Sequence, residues 1–129
     1  MKKAVNEWLR FARRDLLTAE TLSRSKIFLA EPIAFHSQQA AEKAIKAFLA
    51  AHSKRFGKTH NIETLLKLVE QIDDLFAESL KPAAVLTEYA VNYRYPEAAR
   101  IKLTKPKALK AIKLAKLVLQ EVRSKLLKN

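Results

Sequence analysis

Cysteine is absent from this 129-residue chain, and glycine occurs once, as Gly57. The first absence excludes disulfides, thiolate metal sites and cysteine nucleophiles, and it fits a reducing interior. The second, with prolines only at Pro32, Pro82, Pro96 and Pro106, leaves long segments without the turn residues that a sheet protein needs. Long apolar runs are missing too. Met1-Lys2-Lys3 leads straight into charged amphipathic sequence, so neither a signal peptide nor a membrane span is expected, and the protein is read as cytoplasmic. Histidine is scarce. No two of His36, His52 and His60 have the four-residue spacing that would bring imidazoles together on one helix face, so no metal is expected. Glycine-rich phosphate loops and serine nucleophile motifs are also lacking, and Asp73-Asp74 would point to different sides of a helix; no cofactor is expected.

What is present is helical periodicity. Val5, Trp8, Ala12, Leu16 and Ala19 define one face of a helix from about Ala4 to Ser23. A second helix starts after Glu31, with Pro32 in its first turn, and ends near Ser53, ahead of Gly57. Asn61 suits the cap of a third that carries Leu65, Leu66, Leu68, Val69 and Ile72. Pro82 starts a fourth, with Leu86, Tyr89, Ala90 and Tyr93 on one side, which must stop before Pro96. Pro106 opens the last, where Ala108, Ile112, Ala115, Leu119, Val122 and Leu126 repeat four, three, four, three, four. The prediction is a single all-α domain over residues 1–129, an up-and-down bundle of four long helices plus a short one.

The net charge of +12 is unevenly distributed. Residues 100–129 carry ten Lys or Arg against one Glu, whereas residues 61–99 carry three against seven acids. Such a field draws polyanions, nucleotides or an acidic protein, although a solvated lysine face would read the same way.

Two segments stand out. In the second helix, His36, Gln39, Lys43 and Lys46 share one face, opposite Ala34, Ala41, Ile45 and Phe48. Beside the polar face runs a stripe of small residues, Ala40, Ala44, Ala47 and Ala51, that would let another helix approach closely; these are the candidate dimer contacts. His60, next to Asn61 at a helix start, could line a cleft or anchor a loop. The other segment is Tyr93-Arg94-Tyr95-Pro96. An arginine at a helix C-terminus is favoured by the dipole alone, yet one flanked by two tyrosines also has the planar fork that grips phosphate beside a ring that can stack on a base. The candidate ligand-binding set is therefore His36, Gln39, Lys43, His60, Tyr93, Arg94 and Tyr95.

With these pieces in order, the chain resembles the HEPN family, the higher-eukaryote and prokaryote nucleotide-binding domains, in its stand-alone prokaryotic form. The resemblance rests on the run from Ala12 to Glu20, on Phe35 to Ala47, on Thr59-His60-Asn61-Ile62 with Leu65-Leu66, and on Tyr93-Arg94-Tyr95-Pro96. It implies a helical bundle, usually homodimeric, often encoded beside a minimal nucleotidyltransferase with which it forms a complex or a toxin–antitoxin pair. Many members are metal-independent ribonucleases with an Arg-x4–6-His motif. Here the histidine expected after Arg94 is missing: positions 99 to 101 are Ala99, Arg100 and Ile101. Arg55 to His60 has the spacing but lies in the wrong loop. No catalytic residue is assigned. Cleavage of RNA without a metal needs a base and an acid, which leaves only His36 or His60 to serve. The leading expectation is therefore a homodimeric nucleotide- or polyanion-binding protein with a nucleotidyltransferase partner; the alternatives are an endoribonuclease toxin with an unconventional base, and a protein–protein adaptor.

Overall fold

The computed structural model describes residues 2–95 and 102–128, with the side chains of Asn92 and Arg94 outside that description. It contains α1 (Lys3–Ser23), α2 (Ala30–Ala51), α3 (Ile62–Glu70), α4 (Asp74–Leu80), a 3-10 turn (Lys81–Val85), α5 (Leu86–Arg94) and α6 (Lys105–Leu127). No strand occurs among the described residues. No helix of these residues is long and apolar enough to cross a membrane.

The four-helix, up-and-down architecture is built from α1, α2, α5 and α6. Asp15 of α1 reaches His36 and Lys43 of α2, while Lys2 reaches the carbonyl of Ala50, so the two helices run in opposite directions. Tyr93 at the end of α5 stacks on Phe35 at the start of α2, which sets those two antiparallel as well. Ala19, Ile33 and Ala108 form a small cluster where α1 ends and α2 and α6 begin, so α2 and α6 run the same way. α3 and α4 are the excursion that returns the chain from the end of α2 to the start of α5.

The segment between α2 and α6 is divided more finely than periodicity predicts. Pro82 sits inside the 3-10 turn rather than opening an α-helix, and α5 begins only at Leu86. A separate helix, α4, precedes it. Its signal was the acidic pair: Asp73 Oδ1 accepts the Phe76 amide at 3.0 Å as an N-cap. Asn61 caps α3 through Thr64 N at 3.0 Å, and Thr104 caps α6 through Lys107 N at 3.3 Å. Such caps are each worth about 1 kcal/mol.

α2 is the axial helix. Thirteen of its 22 residues are buried, including the polar Ser37, Gln38, Glu42 and Lys46. A helix covered on most of its sides needs side chains small enough for several neighbours, and the alanines supply them. Ala40, Ala44 and Ala47 are 0 % exposed and belong to the chain's own core, with half-buried Ala51 packed against it. The stripe does allow close helix approach, but the helices that approach are this chain's own. As dimer contacts Ala40, Ala44 and Ala47 are corrected: a second copy cannot reach them without opening the bundle, whereas Ala51 is only half-buried.

Candidate functional site

The antiparallel α1–α2 contact places one carboxylate between two cationic side chains. Asp15 Oδ1 accepts from His36 Nδ1 at 3.0 Å, and Asp15 Oδ2 accepts from Lys43 Nζ at 2.6 Å. His36 and Lys43 are seven residues apart on α2, two turns along one face, and a single acid on the facing helix spans them. A carboxylate only accepts, so the Nδ1 proton of His36 is fixed by Asp15, and a neutral ring then keeps its lone pair on Nε2. All three side chains are partly exposed.

The next turn of α1 adds an aromatic surface with cations around it. The Phe11 ring lies 4.7 Å from the Arg10 guanidinium carbon, 5.7 Å from that of Arg14 and 5.8 Å from Lys43 Nζ. Arg10 is also paired with Glu7 at 2.8 Å. Arg14 pairs with no carboxylate among the described residues, so its charge is available to an external anion. On the other side of His36, the Phe35 ring meets the imidazole edge-on and stacks on Tyr93 at 4.6 Å with 26° between planes. The fold thus joins Tyr93 to His36 through Phe35. Tyr95 is exposed just beyond, and the side chain of Arg94 lies outside the described residues.

Gln39 is half-buried, and its carbonyl oxygen Oε1 has no partner among the described residues.

His60 belongs to a different cluster. Its Nδ1 donates to Glu42 at 3.2 and 3.3 Å, and its carbonyl accepts from Gln38 Nε2 at 3.1 Å. Glu42 also accepts from Gln38 Nε2 at 3.1 Å and from Lys46 Nζ at 3.0 Å. The Glu42–Lys46 pair is buried, with side chains 2 % and 5 % exposed. Lys46 Nζ lies 5.4 Å from the Trp8 ring and 5.5 Å from Phe56, which meet edge-to-face at 5.8 Å. An ammonium desolvated this completely is held by its counter-ion and by the negative faces of two rings. Lys46 and Glu42 are therefore an internal brace, and His60, whose side chain is 55 % exposed, ties the loop before α3 to it from the surface. Of the predicted polar face, His36 and Lys43 meet on Asp15, Gln39 turns its carbonyl inward, and Lys46 is withdrawn into the core.

Several residues of these clusters escape sequence reading. Asp15 is an acid directly after Arg13-Arg14, and Glu42 is the single acid among residues 32–60. Isolated acids in basic surroundings are the signal that could have found both. Phe11, Trp8 and Phe56 carry no such mark, because only packing decides which rings meet which cations. Among the described residues no group of three or more His, Asp or Glu side chains is placed to hold a metal.

The chain is matched over residues 5–125 by the family model of the HEPN domain. Its fold is similar to the crystal structure of TT1696 from Thermus thermophilus, with a TM-score of 0.76 and 29% sequence identity, covering 96% of this chain and 99% of that one. A search of curated proteins gives no match. A family model that accounts for nearly the whole chain, on a helical bundle that a related structure shares end to end, makes this protein a member of the HEPN family.

Proposed function

We propose that the protein binds a nucleotide or another polyanion on its α1–α2 face, as a homodimer in the cytoplasm, together with a minimal nucleotidyltransferase in a two-component or toxin–antitoxin system. Membership of the HEPN family supports a nucleotide- or RNA-related role at the level of the family. The observation that carries the reading for this chain is the Phe11 ring set among Arg10, Arg14 and Lys43. Cations contribute phosphate attraction and an exposed ring contributes stacking, the combination that single-stranded nucleic acid and nucleotides engage. The site is only moderately cationic, since Asp15 and Glu7 offset two of the charges; a ligand with several phosphates fits it better than a single phosphate. Since the alanine stripe is internal, the homodimer would use another surface.

Binding of a fluorescent oligoribonucleotide tests this. Affinity should fall steeply with salt, and Arg14→Ala and Arg94→Ala should each weaken it more than Lys110→Ala, a substitution on the exposed side of α6. Equal losses in all three would mean a diffuse basic surface and no defined site.

The Asp15–His36 pair favours a second reading, metal-independent RNA cleavage with His36 Nε2 as the base. Purified protein should then cut RNA in the presence of a chelator, and His36→Ala should stop it. Intact RNA after prolonged incubation would dismiss this reading.

A further inference from the structure

A second surface lies between α1 and α6, where the two helices run antiparallel beside each other. A groove of about 660 Å³ lined by Arg13, Leu16, Lys116, Leu119 and Arg123 continues into another of about 360 Å³ that shares Arg13, Arg123 and Leu127 with it. Together they form one trough extending from Asn6 to Glu20 along α1, about 21 Å at the helical rise per residue. Buried Leu16, Leu119 and Leu126 make its floor. Its lips carry Leu17 and Leu127, which are 60 % and 75 % exposed. Arg10, Arg13, Lys116 and Arg123 are the charged rim, against Glu20 alone among the lining residues.

We propose that this trough docks an acidic amphipathic helix of a partner protein. An apolar floor that spans four turns, with leucines projecting at its edges, fits the apolar stripe of a helix. Nucleic acid would use the rim but leave the leucines in water. The rim's excess of positive charge calls for Asp or Glu flanking that stripe, and it disfavours a second copy of this chain docked trough to trough, which would set Arg13, Lys116 and Arg123 against themselves. The trough shares only Arg10 with the α1–α2 site, so partner docking and nucleotide binding stand or fall separately.

The test uses a fluorescein-labelled synthetic peptide of about eighteen residues, leucines at helical spacing with glutamates on both flanks. It should bind the full-length protein and saturate. Leu17→Ser with Leu127→Ser, and separately Arg13→Glu with Arg123→Glu, should each weaken binding about tenfold or more. The charge-reversed protein should instead take a peptide in which lysines replace the glutamates. All four positions lie at the edges of the trough, and circular dichroism would confirm that the variants keep their helices. The proposal is overturned by absence of binding, by equal affinity for wild type and variants, by equal affinity for a peptide with serines in place of leucines, by displacement with RNA as efficient as with unlabelled peptide, or by a self-association that the leucine substitutions abolish.

Discussion

Asp15 and His36, 21 positions apart in sequence, meet at 3.0 Å between Oδ1 and Nδ1, and the same carboxylate holds Lys43 at 2.6 Å. The acid therefore does two opposed things: it orients the imidazole, and it offsets the lysine charge that an incoming phosphate would use.

That opposition separates the two functional readings. Asp15→Asn frees the charge of Lys43, so a protein whose site only binds anions should hold an oligoribonucleotide a few-fold more tightly. If His36 is a general base, the same substitution should lower cleavage, because the ring loses the acceptor that sets its tautomer. Fluorescence anisotropy and gel-resolved cleavage on one preparation distinguish the outcomes.

The Glu42–Lys46 brace should respond asymmetrically. Glu42→Ala leaves a buried ammonium facing only the rings of Trp8 and Phe56, and should cost about 3 kcal/mol. Lys46→Met should cost less, since a methionine still packs between those rings and Glu42 keeps Gln38 and His60 as donors. Urea unfolding followed by the fluorescence of Trp8, the only tryptophan, reads both.

Replacing Ala44 or Ala47 with Glu should unfold the protein rather than separate a dimer. Each methyl lies in the core at 0 % exposure, and a carboxylate placed there costs on the order of 4 kcal/mol or more. Loss of helical circular dichroism is the expected result; a folded monomer would return the stripe to an intermolecular role.

Asp73 gives a pH signature. Its carboxyl is held below the usual range, first by the hydrogen bond from Lys125 at 2.9 Å and then by the Phe76 amide. A depressed carboxylate contributes stability that is fully present above the unfolded value near pH 4 and is lost as pH falls through the lower folded value. Asp73→Asn keeps a capping side chain but not the charge, so it should destabilise by under about 1 kcal/mol at neutral pH, the pair being partly exposed. The difference from wild type should close on acidification below about pH 4. A constant gap from pH 7 to pH 2 would assign the loss to the cap alone.

Helices and family are legible in residue order alone. One glycine and periodic leucine and alanine positions leave a bundle as the stable solution, and the faces of α1 and α6 follow directly: Val5, Ala12, Leu16 and Ala19 are buried, as are Ala108, Ala115, Leu119, Val122 and Leu126. Local signals of this kind are written in neighbouring residues, as is the Asn61 cap. Whatever depends on which helix faces which is settled by packing instead. Periodicity shows that Lys43 and Lys46 share a side of α2, but not that α1 brings Asp15 to one of them and Trp8 to the other. It shows that Ala44 permits close packing, but not whether the neighbour is a second copy or the chain itself. A helix covered on most of its sides leaves a pattern little free face to mark, and the polar groups of α2 take their roles from residues brought from 18 to 38 positions away.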